Sequence, residues 1–258
     1  MNILHSLKRQ VPNFITLGNL LCGVLAVGFA VGGALYEAAL FICIGILLDF
    51  FDGLAARLLN VVSPIGKELD SLADVVTSGI APAYILYALL DNSYNCFGNI
   101  PLIHRFSYVA FLMPLFAAYR LAKFNLDTRQ GHGFLGLPVP SNALIWVGIA
   151  LTTNCCTFIA PNTPGIIVSI VRSPILPYCL IAVSLITDIL MVSELPMFSL
   201  KFNFKDLSWS TNHVQYIFLI GCAAIICATR QWYAISLIIL WYILYSLLTQ
   251  RKHTPNEQ

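Results

Sequence analysis

Between Arg9 and Glu37 this chain carries no charged side chain, and the same is true from Arg129 to Arg172 and from Arg230 to Arg251. Each run can hold a helix of about 20 apolar residues, roughly what a bilayer core requires. A further run, from Asp74 to Asp91, is shorter and must borrow flanking residues. Only 10% of the residues are charged and 58% are hydrophobic, whereas soluble domains carry about 25% charged residues. A soluble domain is excluded. The expected fold class is all-α, a polytopic membrane protein.

Eight spans are expected, centred near Gly23, Ile42, Ala81, Leu112, Gly148, Ala182, Cys222 and Ile239, the fourth being the shortest. An even number puts both termini on one side of the membrane. With the termini in the cytoplasm, Lys8, Arg9, Arg57, Lys67, Arg120, Lys123, Arg129, Lys201, Lys205, Arg251 and Lys252 all face it, and only Arg105, Arg172 and Arg230 lie opposite. That asymmetry matches the enrichment of Lys and Arg on the cytoplasmic side. The expectation is a multi-pass protein of the cytoplasmic membrane. Ile3, Leu4, Leu7 and Val11 share one face of a short helix, which suits an interfacial segment over residues 1–12. The apolar run that follows is too long for a usual signal core, so it reads as a retained span. A single domain results, with a core over 13–192, then a cytoplasmic loop and two more spans over 193–258. The eight cysteines form no C-x-x-C pair and read as small apolar residues. His132, alone in a polar loop, has no expected role, and no nucleic acid is expected as a partner.

Asp49, Asp52, Asp70 and Asp74 fall within 26 residues, at the junction of two apolar segments. An acidic residue at the centre of a membrane helix costs about 2.5–3.5 kcal/mol on insertion scales, and only Arg57 and Lys67 lie inside the cluster to compensate. Asp49 and Asp52 are three apart, Asp70 and Asp74 four apart, and residues so spaced share a helix face. Two antiparallel helices, joined by a break at Pro64 and Gly66, could point all four at one place. All-oxygen ligation suits Mg²⁺, Mn²⁺ or Ca²⁺ and disfavours zinc. Gly53 leaves room for a ligand beside Asp52. The plainer alternative is a set of solvated or capping residues, with Asp70 capping a helix that begins at Ser71. A cation transporter using the cluster as its ion site is the alternative from another class, although transporters tend to show repeat symmetry and midplane acids.

The pattern Asp-x2-Asp-Gly-x2-Ala-Arg-x8-Gly-x3-Asp-x3-Asp, from Asp49 to Asp74, resembles the signature of the CDP-alcohol phosphatidyltransferases without departure. The resemblance implies that the four aspartates hold one or two divalent ions, Mg²⁺ or Mn²⁺, which bind the diphosphate of a CDP-linked lipid. It also implies that Asp74 is the general base, that Gly53 and Ala56 line the cytidine pocket, and that Arg57 lies near the diphosphate. Gly66, the remaining signature position, is implied as a further contact of the CDP-lipid.

Further stretches resemble the membrane-embedded CDP-diacylglycerol–serine phosphatidyltransferases of that family. They are Pro12 to Gly23, Asp70 to Ala83, Arg120 to Asn125, Phe134 to Ala143 and Leu190 to Ser193. The resemblance implies CDP-diacylglycerol and L-serine as substrates, membrane lipid as surroundings and a homodimer. Asn13, Thr16 and Asn19 lie on one broad helix face and are candidates for contact with the CDP-lipid. Arg120 and Lys123 end a span either as anchors or as an anion site for serine's carboxylate or a phosphate. Asn142 is a candidate to face the same pocket. Glycerol 3-phosphate or inositol phosphate is the competing acceptor class, and the larger basic cluster these need is absent near Asp74.

Overall fold

Turn chemistry divides the apolar sequence into rods. The computed structural model describes residues 3–61, 64–97, 106–126, 134–152, 175–197 and 209–250. Helix α1 (Ile3–Val31) and helix α2 (Leu35–Leu58) form the first hairpin. At the bend Gly33 has φ +78°, the N–H of Ala34 reaches the Phe29 carbonyl and that of Gly33 reaches Ala30. This paired bonding closes off a helix C-terminus, and glycine supplies the left-handed residue at no steric cost. Asn60, at φ +49°, ends α2 in the same way, with Val61 N–H on the Ala56 carbonyl and Asn60 N–H on Arg57.

Helix α3 (Pro64–Asp74) then starts on a proline, which is tolerated in a first turn because its missing N–H has no partner there. The reversal therefore lies at Asn60, and Gly66 sits inside the first turn of α3 instead of breaking the chain. Asp70 is likewise within that helix and caps nothing. Directly after Asp74 the chain widens into a π-helical turn, Val75–Ile80, before helix α4 (Ala81–Phe97) resumes the α pitch. A short 3₁₀ turn, Ser107–Phe111, leads into α5 (Leu112–Leu126).

Helix α6 (Val139–Thr152) follows, then α7 (Leu176–Val192), α8 (Trp209–Thr229) and α9 (Ala234–Gln250). α6 is buried nearly all round, from Val139 and Asn142 through Trp146 to Leu151. That is expected of a helix without a polar face. It packs against α2, α4, α9 and the π turn. α1 instead turns Phe14, Leu17, Leu21 and Val24 outward, a surface suited to lipid. A two-stranded antiparallel ribbon pairs β1 (Phe134–Leu135) with β2 (Pro196–Met197), Phe134 opposite Met197.

Each expected span centre falls within one of these helices. Four stretches are long and apolar enough to cross a membrane: Gln10–Val31, Leu35–Leu58, Pro64–Asp91 and Ser107–Leu126. Four shorter apolar helices lie at Val139–Thr152, Leu176–Val192, Val214–Thr229 and Ala234–Thr249. The expected interfacial segment is continuous with the first span in α1, with Pro12 inside the helix. His132, Arg105, Arg129, Arg172, Lys201 and Lys205 lie outside the described residues.

Candidate active site

Two helix ends meet to make the site. Asp49 and Asp52 stand in the last turns of α2, and Asp70 and Asp74 in the second half of α3. One carboxylate oxygen each from Asp49, Asp70 and Asp74 lie within 4.8 Å of one another. Asp52 is not in that trio. One turn beyond Asp49, its Oδ2 is drawn to α1, where the Thr16 hydroxyl donates to it at 2.5 Å. The Pro12 carbonyl, 3.0 Å from the same hydroxyl, is a weaker competitor, because a charged acceptor makes the stronger bond. Asn19, one turn further along α1, points Nδ2 at Asp74 Oδ1, 3.5 Å away. Thr16 and Asn19 thus orient the carboxylates directly, and Asn13, on the same face, is half-buried.

Close backbone contact fixes this arrangement. The Thr77 hydroxyl, in the π turn, donates to the Asn19 carbonyl at 3.0 Å. Thr77 is seated against two glycines: a Cβ on Gly23 would lie 2.9 Å from its backbone N and Cα, and one on Gly45 2.5 Å from its Cγ2. Small residues let membrane helices approach in this way. π turns recur at functional sites because they re-aim side chains. A lattice on the outer side of α3 completes the positioning. Lys67 Nζ donates to the Asn125 carbonyl (3.1 Å), Asn125 Nδ2 to Ser71 Oγ (2.8 Å), and Ser71 Oγ to the Lys67 carbonyl (3.2 Å).

The donor set fits a hard divalent cation. Three carboxylates from two helices converge, Asp70 Oδ1 is buried with no hydrogen-bond partner, and no lysine or arginine forms an ion pair with the four among the described residues. Carboxylates brought this close need a positive charge between them. Gly53 opens beside them: a Cβ there would meet only Arg57 Nη2, at 4.0 Å. Arg57 is exposed, with Nε donating to the Gly53 carbonyl at 2.9 Å, and Ala56 is half-buried.

The family model described as CDP-alcohol phosphatidyltransferase matches residues 9–186. The chain belongs to this family. Among its relatives, the CDP-diacylglycerol–serine O-phosphatidyltransferase of Bacillus subtilis (strain 168) is 38% identical over 146 residues, 57% of this chain and 78% of that protein. The enzyme of the same name from Helicobacter pylori (strain 26695) is 29% identical over 239 residues, 92% of this chain and 89% of its own. The archaetidylserine synthase of Methanothermobacter thermautotrophicus is 32% identical over 145 residues, 55% and 58% of the two chains. As a CDP-alcohol phosphatidyltransferase the protein is an enzyme of phosphatidyl transfer, and the transporter alternative is set aside.

In this phosphatidyltransferase the expected acceptor residues part company. Arg120, on α5, is 7% exposed, lies close enough to Asp74 to feel its charge, and has an Nε without a hydrogen-bond partner. Its guanidinium stacks over Phe124, 5.5 Å from the ring centroid. Asn142 is fully buried with both amide atoms unpartnered. Lys123 turns away to an ion pair with Glu194 at 3.0 Å. Sequence reasoning missed Thr77, and also missed Tyr242 of α9, which lies near Arg120. A polar residue on the buried face of each helix was the available signal.

Proposed function

We propose that this enzyme transfers the phosphatidyl group of CDP-diacylglycerol to L-serine, giving phosphatidylserine and CMP, with Mg²⁺ or Mn²⁺ as one or two bound ions. The convergence of Asp49, Asp70 and Asp74 within 4.8 Å, inside a segment matched to the family, carries the reading. The names of the Bacillus and Helicobacter relatives support serine as acceptor, and Arg120 offers a single buried guanidinium for a carboxylate.

In the proposed reaction the serine hydroxyl gives its proton to Asp74 as its oxygen bonds to the phosphorus that bears diacylglycerol. The bond from that phosphorus to the bridging oxygen breaks, and CMP leaves with the electron pair. Asn19 holds Asp74 in place for that proton, and Thr16 holds Asp52. Asp49, Asp70 and Asp74 would hold the metal, with Asp52 beside them on Thr16, and the bound ion would offset the charge of the diphosphate and of the departing CMP. Gly53 and Ala56 leave space for the cytidine, Gly66 keeps the first turn of α3 slim, Arg57 faces the diphosphate, and Asn13 extends the polar face of α1 toward the donor. Arg120 and Asn142 receive the acceptor, and Lys123 anchors the end of α5. The enzyme sits in the cytoplasmic membrane as a homodimer of eight-span chains, with termini and active site on the cytosolic side, where a hydrophilic nucleotide is found.

The test is CMP release from CDP-diacylglycerol by detergent-purified protein with Mn²⁺, comparing L-serine, glycerol 3-phosphate, inositol phosphate and no acceptor. Serine-dependent release is expected. Release with another acceptor alone refutes the serine assignment. Asp74→Asn should abolish turnover while CDP-lipid still binds, and retained turnover removes Asp74 as the base.

A further inference from the structure

Two residues beyond the family-matched segment stands an acid that no lysine or arginine pairs with among the described residues. Asp188, on α7, is 0% exposed. Its Oδ2 has only a long bond from the Ser184 hydroxyl, 3.4 Å, and its Oδ1 has no partner. A carboxylate buried in an apolar helix without compensation is expensive and marks function.

Its place in the fold is fixed by three contacts. The Leu137 N–H bonds the Leu190 carbonyl at 3.0 Å, joining the approach to α6 to the end of α7. Gly136, at φ +72°, lies beneath the carbonyls of Leu190, Met191 and Ser193, where a Cβ would come within 2.6–3.1 Å. The Lys123–Glu194 pair joins the end of α5 to the same point. Asp188, Asn142 and Arg120 lie two to five residues from these contacts, on three helices that pack together. All three carry buried polar atoms without a hydrogen-bond partner among the described residues.

We infer that Asp188 recognises the ammonium group of the acceptor, an inference that rests on the serine reading above. An amino acid presents both charges, whereas the CDP-lipid is anionic, so the acceptor is the one substrate whose cation suits a buried carboxylate. Arg120 takes the carboxylate end and Asn142 bridges, since its amide both donates and accepts. The same negative charge turns away acceptors that carry a phosphate, discrimination by repulsion as well as attraction.

The experiment compares kcat/KM for L-serine with that for 3-hydroxypropionate, which keeps the hydroxyl and carboxylate and lacks the ammonium. Full-length wild type, Asp188→Asn and Asp188→Glu are assayed with CDP-diacylglycerol. In Asp188→Asn the ratio should fall about tenfold or more, the scale for losing one partner of a buried charge pair. The fall should come through the KM for serine, with the KM for CDP-diacylglycerol unchanged, and Asp188→Glu should recover part of it. Because both acceptors are measured in one preparation, a loss of folded enzyme cancels from the ratio. Should Asp188→Asn fail to fold, Asp188→Glu carries the test, its displaced charge raising the serine KM while turnover of 3-hydroxypropionate holds. An unaltered ratio overturns the inference alone. A wild type that ignores serine overturns both readings.

Discussion

Replacing Gly23 by alanine tests whether the glycine seat of Thr77 holds the carboxylates in register. The new Cβ would lie 2.9 Å from the backbone N and Cα of Thr77 and 2.5 Å from its hydroxyl. Carbon atoms rest about 3.5–4.0 Å apart, so the two backbones must separate by roughly 0.6 Å or more, and no rotamer of Thr77 relieves contact with its main chain. Thr77 holds the Asn19 carbonyl, and Asn19 reaches Asp74, so the displacement is passed to the reacting carboxylate. A misplacement of about 1 Å can cost a hundredfold in rate, and a loss of roughly ten- to a hundredfold in kcat is expected here. Overpacking should lower stability by about 1–3 kcal/mol, partly offset by about 0.8–1.0 kcal/mol of better helix propensity. The assay is CMP release beside a thermal unfolding curve in the same detergent. Gly28→Ala, on the same helix with nothing within 4 Å, is the control and should keep full activity. If Gly23→Ala matches that control, Thr77 does not position Asp74.

Thr16→Val removes the hydroxyl bound to Asp52 and should raise the KM for CDP-diacylglycerol several-fold, measured by donor titration at saturating acceptor. Chelation should abolish CMP release, with Mg²⁺ or Mn²⁺ restoring it; activity that survives chelator removes the metal from the proposal. Arg120→Gln should raise the KM for serine more than that for CDP-diacylglycerol, measured in the same titrations. Lys123→Met should change neither constant more than about twofold, since a partly exposed ion pair contributes little; a large rise in the serine KM would return Lys123 to the acceptor site.

The rods and the carboxylates were legible because each rests on local spacing. Uncharged runs set the helices, and the separations 49–52 and 70–74 set the faces. The path between them was misread at one point. Gly66 resembles a breaker, yet Asn60 takes the left-handed turn and Pro64 opens the next helix. The fate of Asp52 was not legible, because its spacing aims it at the other three and only the nearness of Thr16 on another helix draws it aside. Asp188 was hidden for a similar reason. A single acid near a helix end reads as solvated until the packing of α5 and α6 shows it fully enclosed.

The π turn at Val75–Ile80 has a consequence for how α3 and α4 can vary. An unbroken α-helix would lock the direction of every downstream side chain to that of Asp74, about 100° per residue. One surplus residue in the turn uncouples the two phases. α4 can present Ile85, Leu86 and Leu90 to the bundle while α3 keeps Asp70 and Asp74 trained on Asp49. A one-residue deletion there would leave a good helix in place and rotate the apolar face of α4 away from its neighbours. Length across this stretch, together with Thr77, is therefore what the fold has to keep.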